Sequence, residues 1–569
     1  MEPAVFMAAT AAMKTAGSTL VVGNALYGKL VNLLGSNGYN GTTTLKAGSL
    51  RLLPNAANLG NNTFRFNCSN GSTAYASVLE TSGLFARDVG TGSGQVAFLG
   101  YSAGGFAAYG APLTVTLSSD AELDWTATKL NGITLMLNSE RATHAITLTN
   151  PLKLDAERNF NVYENPATDQ DVAFLSGKIS GPNSAHHLNK GRSGTLVLAN
   201  NNNDFNGRLR INGGAVRVTP NSASLPAASI LWLSGYYDPF FAILESSGTF
   251  ARNIGTAAGQ VNWESSGGFA AFGGPLSVTL NNNANIIWND ANGFNKQQLQ
   301  FGSPTANDVV TLTNPIKVDN SRTIKVFDNP YSNNDRAVLS GALSGSGNTG
   351  HELNKSGDGL LELAHANNVI SGKLTISQGT LRVTGGLTCY WVDISTSGGL
   401  AGRLEGSGTL TSQYGTDGIY VRNQAIVAPG DGAAGTLTFT GSRFYMLNGS
   451  TYEFEFGPND QRDLLAVTAN VRLDNTWNLK LKDIGNMTPF KPENKINLIT
   501  YTGNFFNNGT LISTGSGKLT SANLDTSSLD PEIWDVSSAE VRYDADAKLI
   551  YLTGIKGGTL PLGTVIIIR

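Results

Sequence analysis

The chain has 569 residues, of which 14 % are charged, and a formal net charge of −3. That charged fraction lies well below the roughly 25 % of ordinary soluble domains, and the near balance of 39 Lys and Arg against 42 Asp and Glu gives no reason to expect nucleic acid as a partner. A hydrophobic content of 40 % argues against disorder, and no run of about 18 apolar residues marks a membrane-spanning helix.

Residues 1–36 form an N-terminal segment in which Thr19–Val22 reads as a strand and Leu26–Leu34 as a short helix or another strand-bearing coil. The opening Met-Glu-Pro-Ala lacks the positive charge of a signal peptide, so no export signal is visible. From Tyr39 the pattern sharpens, with Gly41-Thr-Thr-Thr-Leu45 and Gly48-Ser-Leu50-Arg-Leu52. A Gly- and Phe-rich stretch follows over 79–136, then strands at Ile146–Leu148, Leu152–Leu154 and Phe160–Val162.

Residues 188–219 organise the chain. The pairs Leu196/Leu198, Leu209/Ile211 and Val216/Val218 are spaced by two, so both members of each point to one side of a strand. Gly, Asn and Ser between them supply sharp turns. The pattern returns 165 residues later as Leu361/Leu363, Leu374/Ile376 and Leu381/Val383. Leu79-Glu80 matches Leu244-Glu245 at the same offset, and Gly104-Gly105-Phe106-Ala-Ala matches Gly267-Gly268-Phe269-Ala-Ala at 163. An offset that drifts by a residue or two places small insertions at turns, because a strand locked in register would not tolerate them.

Strands this short cannot bury a face alone, but stacked coils bury one continuous column. The expected fold is all-β: a right-handed parallel β-helix, or β-solenoid, with a C-terminal β-rich module. The divisions are 1–36, a first repeat copy over 37–206, a second over 207–399, and the module over 400–569, which closes with a hairpin at 539–552 and an apolar tail, Val565–Ile568. An array of β-sandwiches is the rival reading. Stacking about twenty coils at about 4.8 Å each predicts an elongated particle.

Lys190, Gly194-Thr195-Leu196, Asn206-Gly207, Ile211, Gly214 and Val218 resemble the autotransporter-associated β-strand repeat, and Lys355, Gly359, Leu361, Gly372, Ile376, Gly379-Thr380-Leu381 and Val383 match it better. Leu360 and Ala215 stand where that motif has Thr. The resemblance implies a passenger-type protein of bacteria, exported or at the cell surface. The translocator barrel of such proteins is not recognised in this sequence.

Candidate chemistry is sparse. The five histidines, His144, His186, His187, His351 and His365, lack the spacing of a zinc site. Asp169 and Asp171 could form a catalytic carboxylate pair, but their repeat mates are Asn333-Asn334-Asp335, so only one acid is kept and a solvated turn is expected. Asn459, Asp460 and Asp463 do not follow a calcium-loop pattern. Gly90-Thr-Gly92-Ser-Gly94 reads as a turn rather than a phosphate cradle. Cys68 and Cys389, 321 positions apart, give little reason to expect a disulfide. No catalytic residue, cofactor or metal is expected. The reading is an extracellular structural or adhesive protein that self-associates into filaments or a surface assembly, with a carbohydrate or cell-surface ligand as a further partner. The alternative is a β-helix carbohydrate-active enzyme, supported by fold alone.

Overall fold

The computed structural model describes residues 8–9, 20–22, 30–34, 41–53, 59–68, 76–99, 103–235, 241–288, 294, 298–413, 418–456, 461–484 and 494–557. Among them the chain is all-β, without an α-helix. The strand pairs described from Leu20 to Asp483 are parallel, save one short hairpin at Thr396–Ser397. Sandwich arrays rest on antiparallel pairing, so that rival reading falls.

The chain divides into two compact units: Met1–Asn282 with Ala291–Val310 and Asn329–Asp335, and Asn283–Asp290 with Thr311–Asp328 and Arg336–Arg569. In the first unit, Leu135, Phe160, Lys190, Ile211, Leu233 and Trp263 stack one above another in register. A second line runs Ile146, Ala173, Leu196, Val216, Leu244 and Phe269. In the second unit, Ala337, Leu361, Leu381, Leu404, Val427, Tyr452 and Leu479 do the same. All twelve two-spaced residues of the repeated motif are buried. The second copy alternates buried and half-buried along Leu360–Leu363, as a strand with one covered face should, whereas Thr195–Leu198 of the first copy is buried on both faces.

Two long strand pairs turn a corner. Ser77–Arg87 lies along Ala103–Leu117, and Ala242–Arg252 along Gly267–Leu280, each with a register shift in the middle. Gly83 (φ +80°) and Gly248 (φ +77°) sit at those shifts, where a side chain would be strained.

The N-terminal ambiguity resolves to strand: Leu30–Leu34 runs parallel to Gly48–Leu53, and Leu20–Val22 to Thr42–Leu45. The parallel pairing also passes residue 400 unchanged, since Leu400–Gly406 joins Gly379–Val383 to Ile426–Pro429. The antiparallel arrangement begins only near the end. Ile496–Tyr501 carries Leu549–Thr553 antiparallel on its free edge, and Glu540–Asp544 completes the expected hairpin. The tail Val565–Ile568 lies outside the described residues. Cys68 and Cys389 are both buried, and burial pushes the Cys389 thiol up to about 12.

Candidate functional site

The residues that set this chain apart from a plain apolar stack are charged groups enclosed at equivalent places in the repeats. Strand Leu188–Gly191 turns Leu188 and Lys190 inward together, as two-residue spacing requires. Lys190 is 0 % exposed, stacked between Phe160 and Ile211. Its ammonium donates to the carbonyls of Arg192 (2.6 Å) and Gly213 (2.9 Å). Lys355 repeats this between Ile324 and Ile376, donating to Gly357 (2.6 Å) and Gln378 (3.0 Å). In each case one carbonyl lies in the turn after the lysine and the other immediately before the strand that begins at Gly214 or Gly379, so the side chain ties together segments 23 residues apart. Gly214 makes room for it, since a Cβ there would stand 2.4 Å from Lys190 Nζ. Burial pulls both lysines down to about 7, against the opposing pull of Glu164 and Glu245 on Lys190 and of Asp358 and Asp328 on Lys355.

The second recurring group is an ion pair on the outer face. Arg51, Arg217 and Arg382 each occupy the fourth place of a strand beginning at Gly48, Gly214 or Gly379, and each lies in register with a glutamate on the parallel strand that follows it: Glu80, Glu245 and Glu405. Arg51 meets Glu80 at 2.6 Å, Arg217 meets Glu245 at 2.7 Å, and Arg382 meets Glu405 at 2.7 Å. Glu80 and Glu245 are fully buried. Glu80 also accepts from Ser139 (3.1 Å) and Arg141, and Glu245 from Thr305 (2.6 Å) and the Ser303 hydroxyl. Rings complete the cover, with the Arg51 guanidinium 3.3 Å from the Tyr109 centroid and that of Arg217 3.2 Å from Phe272. In the third copy the pair opens into a ladder. Glu405 also meets Arg403, which reaches Glu453 at 2.6 Å, and Lys482 meets Glu453 at 2.8 Å. Burial pushes the Glu453 carboxyl up, but Arg403 and Lys482 outweigh it and hold the group at about 2.

The other sequence candidates serve turns. Asp171 accepts the Asn165 N–H at 2.7 Å, and Asp335 accepts that of Asn329 at 2.9 Å. Asn165 and Asn329 in turn donate to Ala142 and Ala306, both at 2.7 Å. The turn is as expected but not solvated: Asp171 is buried, which pushes it up to about 7. Burial and Asp171 push neighbouring Glu164 up to about 8. Asp169 accepts from the Gln170 amide. The histidines bond locally: His144 to the Thr143 hydroxyl, His186 to the Leu154 carbonyl, His187 to the Arg208 N–H, His351 to Ser346 and Asn348, and His365 to the Asn367 N–H. Asp463 is buried and accepts the N–H groups of Gly435 (2.9 Å) and Glu455 (2.8 Å), while Asn459 and Asp460 lie outside the described residues. The Gly92 N–H donates to the Gln95 amide oxygen, which closes that glycine turn. Among the described residues, no three His, Cys, Asp or Glu side chains gather as a metal site, and no helix is long and apolar enough to cross a membrane.

Residues 31–52, 193–218 and 353–383 match the passenger-associated-transport-repeat family. The chain carries this repeat three times. Each match ends on the strand that holds the paired arginine, and the third also contains Lys355. No curated protein matches the chain. The repeats are those of autotransporter passenger-type proteins, which are typically exposed at the cell surface. The arginine–glutamate pairs escaped the sequence reading although both halves recur at nearly the same period: Arg51, Arg217 and Arg382 stand 166 and then 165 apart, and Glu80 and Glu245 stand 165 apart.

Proposed function

We propose that the protein is an extracellular structural or adhesive passenger of a bacterium: a stalk, fibre or filament subunit built as a right-handed parallel β-helix. One observation supports this above the rest. Each passenger-associated-transport-repeat ends on a strand that stacks in register on the following coil, with a buried or half-buried ion pair across the joint. Such a device propagates a stack of coils and needs no substrate. We read the chain as a structural or adhesive protein rather than an enzyme; in support, the buried carboxylates Asp171, Asp463, Glu80 and Glu245 serve backbone N–H groups and arginines.

Antibodies raised against the purified chain test the location. Labelling of intact cells, abolished by protease added outside, is expected, and labelling only after permeabilisation contradicts the reading. Sedimentation velocity over a hundredfold range of concentration tests self-association. A sedimentation coefficient that rises with concentration is expected, and a constant monomer value removes the filament part of the reading.

A further inference from the structure

The second unit carries a stripe of rings and guanidinium groups that the repeats do not account for. Strand Trp391–Ile394 is followed in the stack by Ile419–Val421, the end of Thr436–Met446, the end of Leu464–Leu473, and Phe505–Asn507. The inward residues of these strands, Val392, Ile419, Phe444, Val471 and Phe505, are buried. Two-residue alternation therefore turns Asp393, Tyr420, Tyr445, Arg472 and Phe506 outward, and these five lie in register one above another. The Tyr420 and Tyr445 rings stack with centroids 4.7 Å apart and planes 14° apart, and Trp391 meets Tyr420 edge-on at 5.8 Å.

At one end of the stripe is a cavity of about 200 Å³ lined by Arg443, Tyr445, Asn470, Arg472, Phe506 and Gly509. No carboxylate lines it. Arg443 is exposed and donates to the Tyr445 hydroxyl at 2.9 Å, and Arg472 is held by Asp474 at 2.8 Å. Two guanidinium groups beside two rings and an amide suit a planar anion carried on a ring with an apolar face. A guanidinium fork matches a carboxylate in two parallel hydrogen bonds, and an aromatic ring packs on the C–H face of a pyranose. The carboxylates on the flanks are occupied, Asp393 by Arg422 and Asp474 by Arg472. Coils repeat at about 4.8 Å, a spacing close to one sugar residue of an extended glycan.

We propose that this stripe binds an acidic polysaccharide. One uronate seats its carboxylate between Arg443 and Arg472 with its ring against the half-buried Phe506, over a floor made by the buried Tyr445, and the neighbouring sugars run over Tyr420 towards Trp391. This deepens the adhesive half of the function proposed above, and depends on it only for where the glycan is encountered.

The test is titration of the purified full chain with polygalacturonate, neutral dextran and dextran sulfate at low and high salt, read by calorimetry and by tryptophan fluorescence. Saturable binding of polygalacturonate that weakens with salt, without binding of dextran, is expected. Arg443→Gln should raise Kd at least tenfold, and Phe506→Ser severalfold, while Lys129→Ala in the first unit leaves it unchanged. Arg443 is exposed, so its replacement leaves the stack intact, and an unchanged thermal unfolding curve confirms that. Equal binding of dextran, binding of dextran sulfate alone, or full affinity in Arg443→Gln overturns the proposal. Cell-surface labelling without polygalacturonate binding sinks this proposal alone, and binding by a protein found only inside cells sinks the location alone.

Discussion

Lys355 is enclosed on all sides, and its nitrogen has two backbone oxygens within 3.0 Å. Its folded-state pKa of about 7 lies below the ordinary lysine value of about 10.4. Between those two values the unfolded chain binds a proton that the folded chain has released, so this group makes stability rise with pH from about 7 to about 10. Lys355→Met removes that rise and leaves two carbonyls without their donor, which costs about 2 kcal/mol. Urea unfolding at pH 7 and pH 9.5 should show a wild-type advantage that is larger at the higher pH. Glu164 and Asp171 act in the opposite sense, since their raised values make stability fall as pH climbs from about 4 to about 8. They are present in both proteins, so the comparison isolates the lysine. Arg217 poses a sharper case. Arg217→Met strands the fully buried Glu245 carboxylate with only hydroxyl partners, at a cost of about 3–5 kcal/mol. Adding Glu245→Gln should restore most of that in a double-mutant cycle. Arg382→Met should cost less, because Glu405 keeps Arg403.

At the scale of strands, closest approach is set by glycine. A Cβ on Gly268 would lie 1.8 Å from the Gln300 carbonyl oxygen of the paired strand, and one on Gly105 would lie 1.9 Å from that of Met136. Gly268→Ala therefore forces Gly267–Leu280 away from Gln298–Phe301, and hydrogen exchange should speed up in those two strands first. This explains the repeated Gly-Gly-Phe-Ala-Ala, which the sequence displays without giving its reason. The strands themselves were legible, because Leu361, Leu363, Leu374 and Ile376 alternate and their inward faces are buried as alternation demands. Lys190 was legible only in part. Its spacing from Leu188 places it on the inner face, but nothing local shows that carbonyls 2 and 23 residues on would receive it. The covered outer face of the first copy left no local sign either. Glu80 is met by Ser139 and Arg141, and Glu245 by Ser303 and Thr305, groups about 60 residues away whose arrival is a matter of tertiary path.

For the whole molecule, the open edge of a parallel stack is the hazard, since unpaired N–H and C=O groups there template another chain. The second unit meets this near its C-terminus with strands of reversed direction. Leu549–Thr553 covers Ile496–Tyr501, and Thr510–Ile512 covers Phe505–Asn507. A chain cut after Asp525 keeps the last parallel strand, Ala522–Asp525, but loses the cover of Ile496–Tyr501. Its sedimentation coefficient should climb with concentration more steeply than that of the full chain. Equal behaviour would show that the edge is protected in another way.

The ion pairs at the repeat boundaries bear on how such a gene changes length. Each copy ends on a strand of one pattern, with an arginine that meets a glutamate on the parallel strand that follows, and Lys190 and Lys355 each reach a carbonyl just before that strand. If the seams are exchangeable, unequal crossing-over between copies should yield chains that still fold. Removing residues 214–378 joins Gly213 directly to Gly379: Lys190 keeps its acceptor, and Arg382 keeps Glu405. That shortened chain should unfold cooperatively with a β-sheet circular dichroism spectrum like the parent's, as an allele one period shorter rather than a damaged protein.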